Sequence, residues 1–307
     1  MKVTIIGSGN VGATCASILA QKDIVDEIIL LDSKEKLSEG KSLDISQMTP
    51  ITRSNTKVWG FHCDFSKSRN SEIIIITCGI TRKANMSRDD LVQCNMNIIA
   101  SVTKKSQHLS PNAKFIVVSN PLDIMTYICY INAKISRFRI IGMAGILDCA
   151  RYKYFLSKKL NVSSYDIQSL FLGSHGDTMV PLYRYTSISG IPITEFISEI
   201  ENDILINKTK KGGEEIINYI GNSAWMAPSI SIVEIIEAII KDSKRIFPCS
   251  ILLKGEYNIH NICLGVPVVI GKSGIDRIIE LKLNEKEKYL LKQSEKQIQK
   301  IIYRLRT

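Results

Sequence analysis

The chain has 307 residues, and at ~150 residues per domain that length predicts two lobes rather than a peptide module or a long scaffold. Its 45% apolar and 23% charged residues match the ~45–50% and ~25% of ordinary soluble domains, which excludes disorder, collagen-like repeats and low-complexity polymers. The formal charge of +10 raises nucleic acid as a partner, but the lysines are scattered along the whole chain and aromatics are only 7%. No basic stripe with stacking platforms stands out, so neither nucleic acid nor a membrane is an expected partner.

Lys2-Val-Thr-Ile-Ile-Gly-Ser-Gly reads as a strand entering a glycine loop and not as a secretory leader. The longest uncharged apolar runs, such as Ile73 to Gly79 and Val266 to Gly271, fall well short of the ~18–20 residues that cross a bilayer. The eight cysteines include no C-x-x-C pair, so they read as reduced, partly buried thiols and a cytoplasmic setting is expected.

Up to residue 143, short apolar runs alternate with amphipathic stretches, the pattern of parallel strands covered on both faces by crossover helices. The predicted strands are Val3 to Ile6, Glu27 to Leu31, Lys57 to Trp59, Glu72 to Thr77, Lys114 to Val118 and Arg139 to Ile141. Asn10 to Gln21 and Met96 to Gln107 carry apolar residues at helical spacing. The fold class is therefore α/β, with a doubly wound parallel sheet of the Rossmann kind over residues 1–143.

From 144 to 307 the predicted helices are Cys149 to Lys159, Ile200 to Ile220, Ala224 to Lys241 and Glu285 to Arg306. Hairpin-like strands are expected at Phe247 to Leu253, Ile262 to Leu264, Val266 to Ile270 and Ile275 to Leu281, separated by glycine-bearing turns. This half is read as an α+β substrate or catalytic domain, packed on the first as one body with a cleft between them.

Gly7, Gly9 and Gly12 form G-x-G-x-x-G between a strand and a helix, where a pyrophosphate can lie on backbone N–H groups at the positive end of the helix. Asp32 closes the second strand 20 residues after Gly12. There a carboxylate accepts from both ribose hydroxyls of an adenosine and repels a 2′-phosphate, which favours NAD; the plainer reading is a strand-end or helix-capping carboxylate. Asn120, after the run ending at Val118, is expected at a carboxyl end of the sheet, or else as a turn residue before Pro121.

His175 lies between glycines in Leu-Gly-Ser-His-Gly-Asp-Thr, and imidazole is the side chain best able to exchange a proton near neutral pH. Such a histidine needs a carboxylate to fix its tautomer, and Asp148 is the candidate. Arg151, on the same predicted helical face, offers a planar charged fork for a substrate carboxylate. Arg82 and Arg88 stand in a polar loop after the strand ending near Gly79, where spacing alone reads equally as a solvated basic surface.

At these residues the chain resembles the lactate/malate dehydrogenase superfamily, and more narrowly its lactate-dehydrogenase-like bacterial malate dehydrogenase branch. The resemblance runs over nearly the whole chain and rests on six ordered segments: 7–12, 82–91, 118–123 (Val-Ser-Asn-Pro-Leu-Asp), 147–151 (Leu-Asp-Cys-Ala-Arg), 173–181 (Gly-Ser-His-Gly-Asp-Thr-Met-Val-Pro) and 264–271 (Leu-Gly-Val-Pro-Val-Val-Ile-Gly). It implies an NAD-dependent oxidoreductase interconverting (S)-malate and oxaloacetate, a small-molecule substrate, no metal, and a homodimer or homotetramer. His175 is implied as the proton acceptor and donor, Asp148 as its partner, and Arg151 as the grip on the substrate carboxylate. Arg88 would polarise the substrate oxygen, and Asn120 would lie near nicotinamide and substrate. Arg82 occupies the position that separates malate from lactate dehydrogenases, the latter having glutamine. The expected cofactor-binding set is Gly7, Ser8, Gly9, Asn10, Val11, Gly12, Asp32, Asn95, Val118 and Asn120. The chain departs from the family pattern at Thr81, Ala84 and Asn85, where proline, proline and glycine are common. The amphipathic stretches 10–22, 149–159 and 224–241 are candidates for subunit interfaces or for plain core packing.

Overall fold

Four consecutive isoleucines, Ile73–Ile76, are fully buried, which a strand allows only when both faces of its sheet are covered. In the computed structural model, which describes residues 1–80 and 88–304, with Arg88 described by its backbone alone, they form a central strand. The first half runs β1 (Lys2–Ile6), α1 (Asn10–Lys22), β2 (Glu27–Asp32), α2 (Leu37–Thr52), β3 (Lys57–His62), β4 (Ile73–Ile76), α3 (Arg88–Leu109), β5 (Lys114–Val117), α4 (Leu122–Ala133) and β6 (Ile140–Met143). These six strands are parallel in the order β3-β2-β1-β4-β5-β6. The winding reverses between β1 and β4, so the connections leaving their carboxyl ends diverge and open a crevice there.

The second half contributes α5 (Gly145–Leu160), β7 (Ile167–Gln168), β8 (Phe171–Gly173), β9 (Met179–Pro181), β10 (Ser187–Ile188), β11 (Ile191–Pro192), α6 (Glu199–Ile220), α7 (Met226–Ile240), β12 (Arg245–Lys254), β13 (His260–Gly271), β14 (Gly274–Ile278) and α8 (Glu285–Arg304). β12 adds antiparallel to β6 through Cys249 opposite Met143 and Ser250 opposite Gly142. β13, β8 and β9 follow, with β14 on β13, so one 11-stranded sheet crosses from the first half into the second. A small sheet of β11, β10 and β7 stands apart, packed around a second core that includes Tyr152, Leu156, Phe171 and Ile193.

The structure differs from the sequence expectations in several places. The two strands expected around Gly265 are one strand, β13. Glycine there is a point of close approach and not a break: a Cβ at 265 would lie 2.6 Å from the carbonyl oxygen of Gly173 on β8. α3 starts at Arg88, eight residues before the expected helix, with Asp89 and Asp90 in its first turn, where the helix dipole favours negative charge. α2 and α4 were not expected. α4 is buried along most of its length and so carries no polar face to read, while α2 buries only Ser38, Ser42 and Ile45. The amphipathic stretches 10–22 and 224–241 cover each other within the chain: Ser229 Oγ donates to Val11 O at 2.9 Å and Lys22 pairs with Glu237 at 2.6 Å. In the third stretch, Tyr152 and Leu156 fill the second core.

Replacing Gly265 with alanine is expected to push β8 away from β13 and cost about 1–3 kcal/mol of stability, the usual range for overpacking. Equilibrium denaturant unfolding measures this; an unchanged midpoint would show that the approach is not tight.

Candidate active site

The glycine loop joins β1 to α1 at the crevice. Gly7 has a φ of +107°, and a Cβ on it would lie 2.6 Å from the Cys78 nitrogen; one on Gly12 would lie 1.9 Å from Gly7 O. Both positions are closed to any side chain, whereas a Cβ on Gly9 would meet nothing within 4 Å. Gly9 thus faces open space at the start of α1. The first-turn N–H groups of Asn10, Val11 and Gly12 have no intrahelical acceptor there, and the N-cap residue, Gly9, has no side chain to cap them. Such an end attracts an anion.

Asp32 lies beside this loop and already accepts from the backbone N–H of Ser8 at 2.7 Å and of Lys34 at 2.8 Å. One hydrogen bond on each carboxylate oxygen leaves lone pairs free on both. Ser8 gives its N–H to Asp32, and its hydroxyl is 2.9 Å from that of Ser38. A cavity of about 540 Å³ is lined by Gly7, Gly9, Asp32, Phe65, Ile98 and Val102. A second, of about 730 Å³, is lined by Val118, Asn120, Leu147 and His175 among others. Thr77, Cys78 and Gly79 line both, so the two adjoin at the ends of β1 and β4. Each falls within the ~300–1,000 Å³ of ordinary ligand pockets, and together they fit a dinucleotide.

The structure brings His175 and Asp148 together. Asp148, in the first turn of α5, is 2% exposed, and its Oδ2 is 3.0 Å from His175 Nδ1. Oδ1 is buried with no hydrogen-bond partner among the described residues. The histidine loop is held from α8, where Ser294 Oγ accepts the Ser174 N–H at 2.6 Å and Gln297 accepts from Thr178. A carboxylate that the sequence reading did not single out stands behind it. Asp123 Oδ2 accepts the His175 backbone N–H at 3.1 Å, and Oδ1 accepts from Ser250 Oγ at 2.6 Å. Its only sequence signal is an acidic residue opening an otherwise apolar helix. Burial pushes the Asp123 carboxyl up to about 6, against the hydrogen bonds from Ser250 and His175. For His175, burial works to lower the pKa, but the charge and hydrogen bond of Asp148 and the charge of Asp123 outweigh it and the opposing Arg151. The imidazole pKa is raised above 6.5.

Arg151 is half-buried on α5, with its guanidinium against α6 about 3.4 Å from where a Cβ on Gly213 would stand. Burial lowers its pKa, partly offset by Asp148, yet an arginine remains charged at any physiological pH. Among the described residues no carboxylate pairs with it. Asn120, at the end of β5, lines the second cavity. Asn95 also lines it, but its amide is committed to backbone: Oδ1 accepts from Ile80 N at 2.8 Å, and Nδ2 donates to Ile80 O at 3.3 Å and Asn120 O at 3.1 Å. It ties the segments after β4 and β5 together. Arg82, with Thr81, Ala84 and Asn85, lies outside the described residues, as does the side chain of Arg88.

Among the described residues no group of three or more His, Cys, Asp or Glu side chains is placed to hold a metal. No described helix is long and apolar enough to cross a membrane. The first 142 residues match the family model of the lactate/malate dehydrogenase NAD binding domain, and residues 146–306 match that of the lactate/malate dehydrogenase alpha/beta C-terminal domain. A malate dehydrogenase of Cytophaga hutchinsonii is 51% identical over 302 residues, covering 98% of this chain and 97% of the relative. The solved malate dehydrogenase of Salinibacter ruber superposes with a TM-score of 0.95 at 41% identity, covering 100% of this chain and 98% of that one. That of Picrophilus torridus gives 0.94 at 40% identity, covering 98% and 95%. With a dinucleotide cradle, a histidine–carboxylate pair and two matching halves, the chain belongs to the lactate/malate dehydrogenase family.

Proposed function

We propose that this chain interconverts (S)-malate and oxaloacetate with NAD as cofactor, residues 1–143 holding the dinucleotide and residues 144–307 carrying the proton-transfer pair. The observation that carries this reading is the His175–Asp148 contact in the wall of a cavity adjoining the glycine-loop cavity. The malate dehydrogenases at 41–51% identity support the choice of substrate.

The N–H groups of Asn10, Val11 and Gly12 hold the pyrophosphate beside Gly9, and the free lone pairs of Asp32 accept from the ribose hydroxyls. Val118 and Asn120 border the nicotinamide half. When bound there, NAD would supply the hydride acceptor or donor for the substrate's C2. Arg151 grips the adjacent carboxylate through two parallel N–H···O bonds. Asp148, as a carboxylate, only accepts, so the Nδ1 of His175 carries the hydrogen towards it and Nε2 is free for the substrate. In malate oxidation neutral His175 takes the hydroxyl proton at Nε2, and Asp148 stabilises the resulting imidazolium. Arg88 draws electron density from the C2 oxygen, and Arg82 neutralises the second carboxylate.

An NADH-oxidation assay across 2-oxo acids tests the assignment: oxaloacetate is expected to give the highest kcat/KM, and a higher value with pyruvate would overturn it. A buried charge without its partner costs about 3–5 kcal/mol, and at ~1.4 kcal/mol per tenfold Arg82→Gln should lower oxaloacetate turnover roughly a hundred- to several-thousand-fold. Pyruvate turnover should fall far less; equal losses contradict the role of Arg82.

The raised pKa of His175 fixes the direction of the pH response. Oxaloacetate reduction uses the protonated imidazole, so its kcat/KM is full at low pH and falls as pH rises through a midpoint above 6.5. Malate oxidation uses the neutral form and rises through the same midpoint. A midpoint below 6.5 in both directions would contradict the Asp148 pairing.

Asp32→Ser removes the charge that opposes a 2′-phosphate, so NADPH efficiency should rise while NADH efficiency falls. Comparable use of both cofactors by the unaltered chain would remove Asp32 as the selector.

A further inference from the structure

Asp123 is buried to 2% exposure at the start of α4, yet nothing in the proton transfer proposed above uses it. Its two oxygens are divided between two other elements, one bound to the His175 backbone N–H and the other to Ser250 on β12. An apolar residue would satisfy α4 more cheaply, since a buried carboxylate is costly unless its charge is compensated. The compensation here comes from the hydrogen bonds of Ser250 and of the His175 main chain and, after them, from the charge of the imidazole, so His175 sits between Asp148 at its ring nitrogen and Asp123 at its own main chain.

We infer that Asp123 is a positioning residue for this reaction: it fixes the histidine loop through the main chain and sets a second negative charge behind the imidazole. The inference rests on His175 being the proton carrier proposed above. The charges facing His175 are Asp148 and Arg151 from α5 and Asp123 from α4. Those facing Asp123 are His175, Asp148 and the buried thiol of Cys263 on β13, while α8 presents the uncharged Ser294 and Gln297 to this loop.

Asp123→Asn separates charge from shape. The asparagine Oδ1 can still accept the His175 N–H, and its amide can donate to Ser250, whose hydroxyl reverses its role. The His175 imidazole is titrated by NMR in the full-length histidine-labelled chain, its signal assigned with a His175→Asn variant, so this readout does not depend on turnover. The midpoint is expected to fall by about one pH unit in Asp123→Asn, the scale for losing a nearby opposite charge. The alkaline fall of kcat/KM for oxaloacetate should move down with it, with KM for NADH unchanged. Ser250→Ala removes one donor to the Asp123 carboxylate and so lowers its charge near neutrality; it should move the midpoint the same way by less. A midpoint unmoved in Asp123→Asn that melts at the parent temperature overturns the inference. Should that variant not fold, an unmoved midpoint in Ser250→Ala does so. If the unaltered chain does not reduce oxaloacetate, the proposed reaction falls, while the imidazole titration still decides the role of Asp123.

Discussion

A buried carboxylate held 3.0 Å from an imidazole is the interaction on which the rest of this structure depends. Asp148 is nearly sealed from water, and an ionised group in that position loses several kcal/mol of hydration unless a partner stands at close range. The partner comes from a separate segment, the loop between β8 and β9. Two independent pieces of backbone must therefore agree to within a few tenths of an ångström. α5 is anchored where Gly145 meets Pro248 of β12, and β8 is anchored on β13 at Gly265 opposite Gly173. β12 and β13 are themselves a long antiparallel pair. His175 and Asp148 are thus mounted on two adjacent points of one stiff ribbon.

That ribbon also explains how the two halves of the chain come to border adjoining cavities. β12 joins the parallel strands at β6, so no hinge in the sheet separates them. Ser250, in that same joint, donates to Asp123 of α4, and Asp123 accepts from His175. A chain of hydrogen bonds runs from the sheet seam to the histidine main chain. The crevice at β1 and β4 and the cavity under His175 are then held in register by the sheet itself, through the residues Thr77 to Gly79 that line both.

Much of this was legible in the sequence where the physics is local. The glycine triplet, the buried strands and the alternation that makes a doubly wound sheet all follow from neighbours along the chain, and the first six strands lie where period and β-branching put them. Gly265 was misread because a glycine between two apolar runs looks like a break, and only a neighbour nearly a hundred residues away shows that it marks a close approach. α4 escaped notice because a helix buried on most faces has no period to detect. Ser8 and Asn95 lie where ligand contacts were expected, yet their polar atoms are taken by Asp32 and by the backbone of Ile80 and Asn120. Sequence shows that a polar group is present, but only coordinates show whether it is already satisfied.

The same distinction separates the groups that build this site from those free to bind. Asp123, Ser250 and Asn95 spend their polar atoms on other parts of the protein, and they hold shape. Arg151 does not: half-buried and charged, offset only in part by Asp148 and with no carboxylate in ion-pair contact among the described residues, it is a group that folding leaves incompletely compensated. Such a guanidinium lowers the stability of the empty chain and recovers that free energy only when an anion arrives. The surplus of +10 over the whole molecule does not substitute for it, because exposed lysines more than about 8 Å away are screened at physiological salt. Affinity for an anion therefore resides in a cation such as Arg151 that the fold withholds in part from water, and the buried carboxylates Asp148 and Asp123 outweigh it at His175, favouring the charged imidazole.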